Sequence, residues 1–295
     1  MGIIDYINRS VESNDCAANH YPTFTYPAFT VQTNLTVMKG RFTSCLVFSN
    51  WLMVISHSTH AEETRLNDNL PEMIQIETDA NPEFAIIWLH GLGADGYDFE
   101  PIVPQLGLPR ETPVRFIFPH APHRPITLNG GMVMRGWYDI SGMEMIRHED
   151  AAGIEASAQI VRDLIDAQET QGIPSERIIL AGFSQGGAIV LFAGLRYHKK
   201  LAGIMALSTY LPLSDRTDDE ASAQNRQTPI FMAHGLYDPI IALPIAEASR
   251  GVLQKLDYDI EWRTYAMPHS VSPEEISDIS AWFNRVITQS EDAPE

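Results

Sequence analysis

A serine set between glycines is the residue of this sequence whose surroundings point most clearly to chemistry. Ser184 lies in G-F-S-Q-G, residues 182–186. The apolar run RIILAGF predicts a strand up to this point, and QGGAIVLFAGLRYH predicts a helix after it. A sharp turn from strand to helix exposes a serine hydroxyl as a nucleophile. The alternative is an ordinary small residue in a loop, and the predicted junction favours the nucleophile.

A serine nucleophile needs a base, and the base needs an acid that orients it. Asp238 follows the predicted strand PIFMAHG, and His269 follows the predicted strand IEWRTYA. Both therefore lie at carboxyl ends of strands, where open parallel sheets build their sites. His234 precedes Asp238 in the same strand and is predicted to be structural. Other downstream carboxylates are predicted to be solvated or to cap helices, among them Asp257, Asp259, Glu274 and Glu275.

Backbone donors for a developing oxyanion are predicted at two places. The glycine-containing turn LHGLGADG, residues 89–96, follows the predicted strand FAIIW and offers the N–H of Leu92. The N–H of Gln185 opens the predicted helix after Ser184. Such donors stabilise the charge that forms on a carbonyl oxygen under attack. His90 is predicted to brace the turn and not to act as a base.

A substrate wall is predicted in LNGGMVMRGWYDI, residues 128–140, where apolar side chains follow a glycine-rich turn. Met132, Met134 and Trp137 could line an acyl pocket, since methionine adapts to irregular chains. The alternative is that these side chains only pack under a long loop.

No metal ion or other cofactor is predicted. His120 and His123 lie between prolines in FPHAPHRP, which favours a role in loop structure, and no further ligand completes a metal set. Cys16 and Cys45 both precede residue 70, so the rest of the chain contains no thiol that could act as a nucleophile.

From residue 73 onward, short apolar runs alternate with longer segments of helical period, which predicts an α/β fold. Continuous apolar runs are typical of strands covered on both faces, so the expected architecture is a mostly parallel central sheet with helices on both faces. The predicted strands are 73–78, 84–90, 114–118, 177–183, 202–208, 229–235 and 260–266. The predicted helices are 149–170, 185–198, 243–256 and 272–287.

These motifs together resemble the phospholipase/carboxylesterase family of α/β-hydrolases, which includes acyl-protein thioesterases and bacterial carboxylesterases, the second branch looking closer. The resemblance rests on IIWLHGLGADGYDF, FPHAPHRPITLNGGMVMRGWYDI, GFSQGGAIVLFAGLRY, LAGIMALSTYLPL, HGLYDPI and MPHSVSPEEI. It covers residues 73–288 and implies an α/β-hydrolase fold, a triad of Ser184, Asp238 and His269, and oxyanion donors at Leu92 and Gln185. The sequence departs from the family pattern at Ala242, where proline is common, and at Gly136, where a bulkier residue is frequent.

Three regions are predicted along the chain: an N-terminal extension at 1–69, a catalytic domain at 70–290 and an acidic tail at 291–295. The extension has no sustained periodicity, which indicates disorder or a mis-set translation start. Its segment 38–61 has the weak outline of a signal peptide, so a cytoplasmic location is expected with secretion as the alternative.

The formal net charge of −18 disfavours nucleic acid as a partner and tight docking on an anionic membrane surface. Stable membrane insertion is not expected, because the apolar run within 38–61 is too short to cross a bilayer. The expected function is that of a serine carboxylesterase that hydrolyses ester or thioester bonds through an acyl-enzyme. Alternatives are an acyl-protein thioesterase or a lysophospholipase acting on acylated proteins or acyl-lipids, and, in another class, a non-catalytic binding protein with the same fold. A homodimer formed through an apolar loop near the site is a further expectation.

Overall fold

A computed structural model of the chain describes residues 70–108, 112–142 and 149–291. Among these residues, seven strands form one sheet in the order β1-β3-β2-β6-β7-β8-β9, and two further strands, β4 and β5, form a hairpin. The strands are β1 Met73–Glu77, β2 Phe84–Leu89, β3 Val114–Pro119, β4 His123–Ile126, β5 Met132–Arg135, β6 Ile178–Phe183, β7 Gly203–Leu207, β8 Ile230–Gly235 and β9 Ile260–Tyr265.

The large sheet is parallel from β3 through β9, and only β1, at one edge, runs antiparallel to its neighbour. After β2 the chain continues to β3 on one side of β2, and it later returns to β6 on the other side. The carboxyl ends of β2 and β6 therefore meet at a switch point of the sheet, where doubly wound folds form a crevice.

Helices cover both faces of the sheet, as the continuous apolar strands predict. The longer ones are α1 Ala151–Thr170, α2 Gln185–Arg196, α4 Leu243–Lys255 and α5 Pro273–Glu291, and α3 Thr217–Glu220 is a single turn. One hydrophobic core lies between the sheet and helices α1, α2 and α4, and a second lies between the sheet and α5. Strands β2, β6 and β7 are buried along their whole length because they separate these two cores.

The prediction of a mostly parallel sheet with helices on both faces is confirmed, and the predicted strands and helices agree with the observed ones to within a few residues. The hairpin of β4 and β5 was not predicted. Its short strands are half exposed, so they lack the apolar runs that mark the buried strands. The intervening turn ends at Gly130 and Gly131, both at positive φ.

The predicted N-terminal extension with its segment 38–61, and residues 292–295 of the acidic tail, lie outside the described residues. Among the helices that are described, none combines the length and the apolar character needed to cross a bilayer.

Glu275 corrects a prediction made from the sequence. It was expected to be solvated or to cap a helix, but its side chain is fully buried in the first turn of α5. The cap is supplied by Ser272, whose Oγ accepts a hydrogen bond from the Glu275 N–H at 3.2 Å. Neither carboxyl oxygen of Glu275 has a hydrogen-bond partner in the described part of the chain. Burial raises the pKa of Glu275 to about 8, so the carboxyl group is neutral at pH 7.

Replacing this carboxyl by an amide is expected to remove a pH dependence of stability. The folded-state pKa of Glu275 lies above its unfolded value, so its contribution to stability is complete below pH 4.5 and is lost as the pH rises toward 8. The free energy of unfolding of Glu275→Gln, relative to the wild type, should therefore rise by about 1.4 kcal/mol per pH unit across this window. Urea unfolding at several pH values measures it.

Glu274→Gln is the matched control, since Glu274 is the exposed neighbour of Glu275 in the same helical turn. It should follow the wild-type pH dependence. If Glu275→Gln follows the wild type as well, Glu275 is not held neutral in the folded protein.

Candidate active site

Ser184 lies at the junction of β6 and α2, at the carboxyl end of the central strand of the sheet. Its backbone has φ 55° and ψ −121°, a strained conformation for a residue with a side chain. The turn is closed by glycines: a Cβ on Gly182 would lie 2.5 Å from the carbonyl carbon of Gly186, and a Cβ on Gly186 would lie 2.4 Å from the carbonyl oxygen of Leu89. Only glycine fits these two positions, so the strained serine conformation is imposed by its neighbours.

Hydrogen bonds fix the strained backbone on both sides of the Ser184 Cα. The Ser184 N–H donates to the carbonyl oxygen of Leu207 at 2.8 Å, and the Thr209 hydroxyl donates to the carbonyl oxygen of Ser184 at 2.6 Å. Both partners follow or end β7, the neighbouring strand. The sheet itself therefore holds the serine in place.

The structure brings Ser184, His269 and Asp238 together, as the sequence predicts. The distance between His269 Nε2 and Ser184 Oγ is 2.9 Å, and that between His269 Nδ1 and Asp238 Oδ2 is 2.7 Å. The His269 ring packs on Phe183, with ring centroids 4.8 Å apart. A carboxylate at Nδ1 selects the tautomer in which Nε2 is free to accept the serine proton.

Asp238 is kept as an anion although its side chain is fully buried. Its Oδ1 accepts the backbone N–H groups of Ile240 at 2.8 Å and Ile241 at 2.9 Å. Burial alone would raise the pKa of Asp238, but the hydrogen bond and charge of His269, together with these two N–H groups, hold that pKa below its ordinary value. Asp238 is therefore charged near neutral pH.

The turn after β2 and the start of α2 meet beside Ser184, and both Leu92 and Gln185 line the cavity there. His90 is confirmed as a brace for the turn. Its Nε2 accepts the N–H of Ala121 at 3.0 Å, and its Nδ1 lies 2.7 Å from the carbonyl oxygen of Gly91. Burial lowers the pKa of His90 to about 4, which keeps the ring neutral.

The Gln185 side chain has a role that the sequence analysis missed. Its Oε1 accepts the N–H of Trp137 and its Nε2 donates to the carbonyl oxygen of Tyr138, both at 2.7 Å. The helix residue next to the nucleophile thus holds the backbone of residues 137–138 against α2. No sequence pattern predicts these contacts, because Gln185 is 48 residues from Trp137 and 47 residues from Tyr138.

A cavity of about 180 Å³ opens beside Ser184. Its apolar wall and its two tyrosines come from several separate segments of the chain and were largely missed from the sequence, although Ile240 and Ile241 lie close after the predicted acid Asp238. The lining residues are Leu92, Leu128, Tyr138, Ile140, Gly142, Ser184, Gln185, Tyr210, Pro239, Ile240 and Ile241. The hydroxyl groups of Tyr138 and Tyr210 are hydrogen-bonded to each other at 3.0 Å.

The three residues predicted to line an acyl pocket lie on β5 and just after it. Met132 is 63% exposed on β5, Met134 lies on the same strand with its sulfur 3.4 Å from Asn129 Nδ2, and Trp137 is fully buried. The Trp137 indole N–H donates to the carbonyl oxygen of His90 at 2.9 Å. None of the three is among the residues that line the described cavity, so their part in substrate binding stays a prediction.

Residues 70–108, 112–142 and 149–291 contain no group of three or more histidine, cysteine or carboxylate side chains arranged to hold a metal ion. His120 instead braces a loop, since its Nδ1 accepts the N–H of Gly96 at 3.0 Å.

Comparison with known proteins identifies the family. A family model described as phospholipase/carboxylesterase matches residues 71–287. The chain belongs to the phospholipase/carboxylesterase family. The match covers nearly the same residues as the resemblance noted in the sequence, and it makes this chain a serine hydrolase with an α/β-hydrolase fold.

Individual members of the phospholipase/carboxylesterase family support this assignment. An acyl-protein thioesterase 1 of Gibberella zeae is 41% identical over 209 residues, which are 68% of this chain and 89% of that protein. One of Neurospora crassa is also 41% identical and covers 71% of this chain and 89% of its own. The crystal structure of Arabidopsis thaliana SOBER1 superimposes with a TM-score of 0.65 at 31% identity, over 69% of this chain and 99% of SOBER1.

Proposed function

We propose that Ser184, His269 and Asp238 form the catalytic triad of this serine hydrolase, with the backbone N–H groups of Leu92 and Gln185 as oxyanion donors. The observation that carries the proposal is the pair of short contacts of His269, 2.9 Å to Ser184 Oγ and 2.7 Å to Asp238 Oδ2, at a serine held at positive φ. Such a chain of three groups is what serine nucleophiles require.

The geometry sets the order of proton transfers. Ser184 Oγ bonds to the substrate carbonyl carbon while His269 Nε2 takes the hydroxyl proton, and the carbonyl electrons move to the oxygen that faces the two N–H groups. The tetrahedral adduct then breaks its bond to the leaving group, which receives the proton from Nε2. In the second half, His269 deprotonates a water that attacks the acyl group, and Ser184 regains its proton as the acid leaves.

We propose an acylated protein as the substrate, with the acyl chain in the cavity and the peptide outside. The relatives of Gibberella zeae and Neurospora crassa bear the name acyl-protein thioesterase, which supports this class. The cavity wall is largely apolar, and two of its residues, Leu128 and Ile240, are also 40% and 60% exposed. An acyl chain longer than the cavity could therefore continue along exposed apolar side chains.

A rate panel tests this substrate class. S-acylated cysteine peptides with acyl groups of increasing length should show kcat/KM rising by roughly fourfold per added methylene, as expected from about 0.8 kcal/mol per buried CH₂, until the cavity is filled. Ile240→Ala should flatten this rise and leave the acetyl peptide unaffected.

Met132→Ala is the matched control for Ile240→Ala, because Met132 is equally exposed but does not line the cavity. If Met132→Ala instead loses turnover of long-chain substrates, the acyl chain runs along the hairpin of β4 and β5 and not along Ile240. A maximum at acetyl would favour a general carboxylesterase. Faster turnover of a lysophospholipid with the same acyl chain would favour a lysophospholipase.

A cytoplasmic location is part of the proposal. It is supported by the cysteines, both of which precede residue 70, so the catalytic domain needs no oxidising compartment for a disulfide. Immunolocalisation of the native protein checks it, and recovery from the secreted fraction would contradict it.

As a second partner, we propose another copy of this chain. The exposed large apolar side chains of the described residues include Met132 and Val133 on β5, and Tyr237 and Ile240 in the loop after β8. Apolar patches of this kind often mark contact surfaces. Sedimentation velocity would show whether this face joins two copies of the chain.

A further inference from the structure

His234 is a buried titratable residue that the proposed mechanism does not use. It lies in β8, four residues before Asp238, and its side chain is 1% exposed. Burial lowers its pKa, so the ring is neutral. The sequence analysis predicted only that it is structural.

The hydrogen-bond geometry assigns the tautomer of His234. Its Nε2 lies 2.8 Å from the carbonyl oxygen of Ile241, which can only accept, so Nε2 carries the hydrogen. The same Nε2 lies 3.4 Å from Asp238 Oδ2, the oxygen that binds His269. The N–H group of His234 therefore faces both the turn after Asp238 and the carboxylate.

The contacts of Ile241 link His234 to the acid. The Ile241 carbonyl oxygen accepts from His234, and the Ile241 N–H donates to Asp238 Oδ1 at 2.9 Å. The N–H of Ile240 donates to the same oxygen. One peptide segment is therefore hydrogen-bonded to the histidine on one side and to the carboxylate on the other.

The other ring nitrogen shows that packing alone does not explain this residue. His234 Nδ1 is buried and has no hydrogen-bond partner in the described part of the chain. An unpaired buried polar atom destabilises the folded state, and an apolar ring of similar size would avoid that loss. A function of the Nε2–H group accounts for a histidine at this position.

We propose that His234 is a positioning residue that fixes the turn 238–241 through the Ile241 carbonyl and so holds Asp238 against His269. This inference rests on the proposed triad. Loss of the Nε2–H group leaves the acid free to shift relative to the imidazole, and misplacement by about 1 Å is enough to lower turnover roughly 10²-fold.

Two substitutions separate positioning from packing. His234→Gln keeps an amide donor near the place of Nε2, and His234→Phe keeps the ring volume without a donor. For a p-nitrophenyl acetate substrate, which fills little of the cavity, His234→Phe should lower kcat roughly 10²-fold with KM within about threefold. His234→Gln should retain kcat within about fivefold of the wild type. His123→Phe, at an exposed histidine on β4, is the control.

The reverse order, with His234→Phe active and His234→Gln impaired, would show that the ring serves only as packing and would overturn the proposal. Equal activity of both variants would overturn it as well. If His234→Phe does not fold, His234→Asn replaces it, since its amide is too short to reach Ile241. A wild-type protein that neither hydrolyses the ester nor reacts with a fluorophosphonate at Ser184 would instead refute the triad.

Discussion

Ser184→Ala is expected to lower kcat for p-nitrophenyl acetate by roughly 10⁶-fold, because the proposed nucleophile is lost while the rest of the site remains. Alanine meets the same φ of 55° as serine, so the substitution adds no new backbone strain. The lost hydrogen bond to His269 contributes about 1 kcal/mol, which corresponds to a change in Tm of about 2–4 °C. Steady-state kinetics and calorimetry on the same preparation measure both.

Ser208 offers a closely matched control for this experiment. It is a second buried serine at positive φ, 45°, and its hydroxyl has no hydrogen-bond partner among the residues that the structure describes. Ser208→Ala should keep nearly full activity and full labelling by a fluorophosphonate, whereas Ser184→Ala should lose both. Labelling that persists in Ser184→Ala would place the nucleophile elsewhere.

Asp238→Asn is expected to lower kcat by roughly 10⁴-fold without unfolding the protein. The reason lies in the two N–H groups of Ile240 and Ile241 that point at Oδ1. An asparagine must place its carbonyl oxygen there, so its NH₂ group takes the position of Oδ2 and donates to His269 Nδ1. The ring then carries its hydrogen on Nε2 and cannot accept the proton of Ser184.

Asp259→Asn is the control, since Asp259 is an exposed carboxylate beside β9. It should leave kcat unchanged. Kinetics at neutral pH with both variants decide the matter: a loss of less than tenfold in Asp238→Asn would show that the carboxylate does not orient the base.

The sequence predicted the central sheet and the proximity of the three proposed triad residues because both depend on local patterns. Strands such as β6 are apolar along their whole length, and this follows from burial on both faces. Ser184 directly follows β6, Asp238 and His269 come shortly after β8 and β9, and parallel strands bring their carboxyl ends to one edge. The order of strands and helices along the chain was therefore enough to predict that the three residues lie close together.

Features that depend on contacts between distant segments were not predictable. Glu275 has the position and type of a helix-capping residue, yet packing of α5 on the sheet buries it. Met132 and Met134 were expected to line an acyl pocket, but the residues that line the cavity beside Ser184 are others, and the pairing of β5 with β4 that places the two methionines has no apolar run to mark it. The contacts of the Gln185 side chain were not predictable either, because the sequence does not tell which loop crosses the start of α2.

Gln185 has a consequence for how the enzyme selects its substrates. Its backbone N–H is a proposed oxyanion donor, and its side chain fastens the backbone of Trp137 and Tyr138, the second of which lines the cavity. A poorly fitting acyl group that displaces Tyr138 should therefore also shift Gln185, the proposed oxyanion donor. Discrimination between acyl groups should consequently appear as slower turnover of bound substrate, and not only as weaker binding.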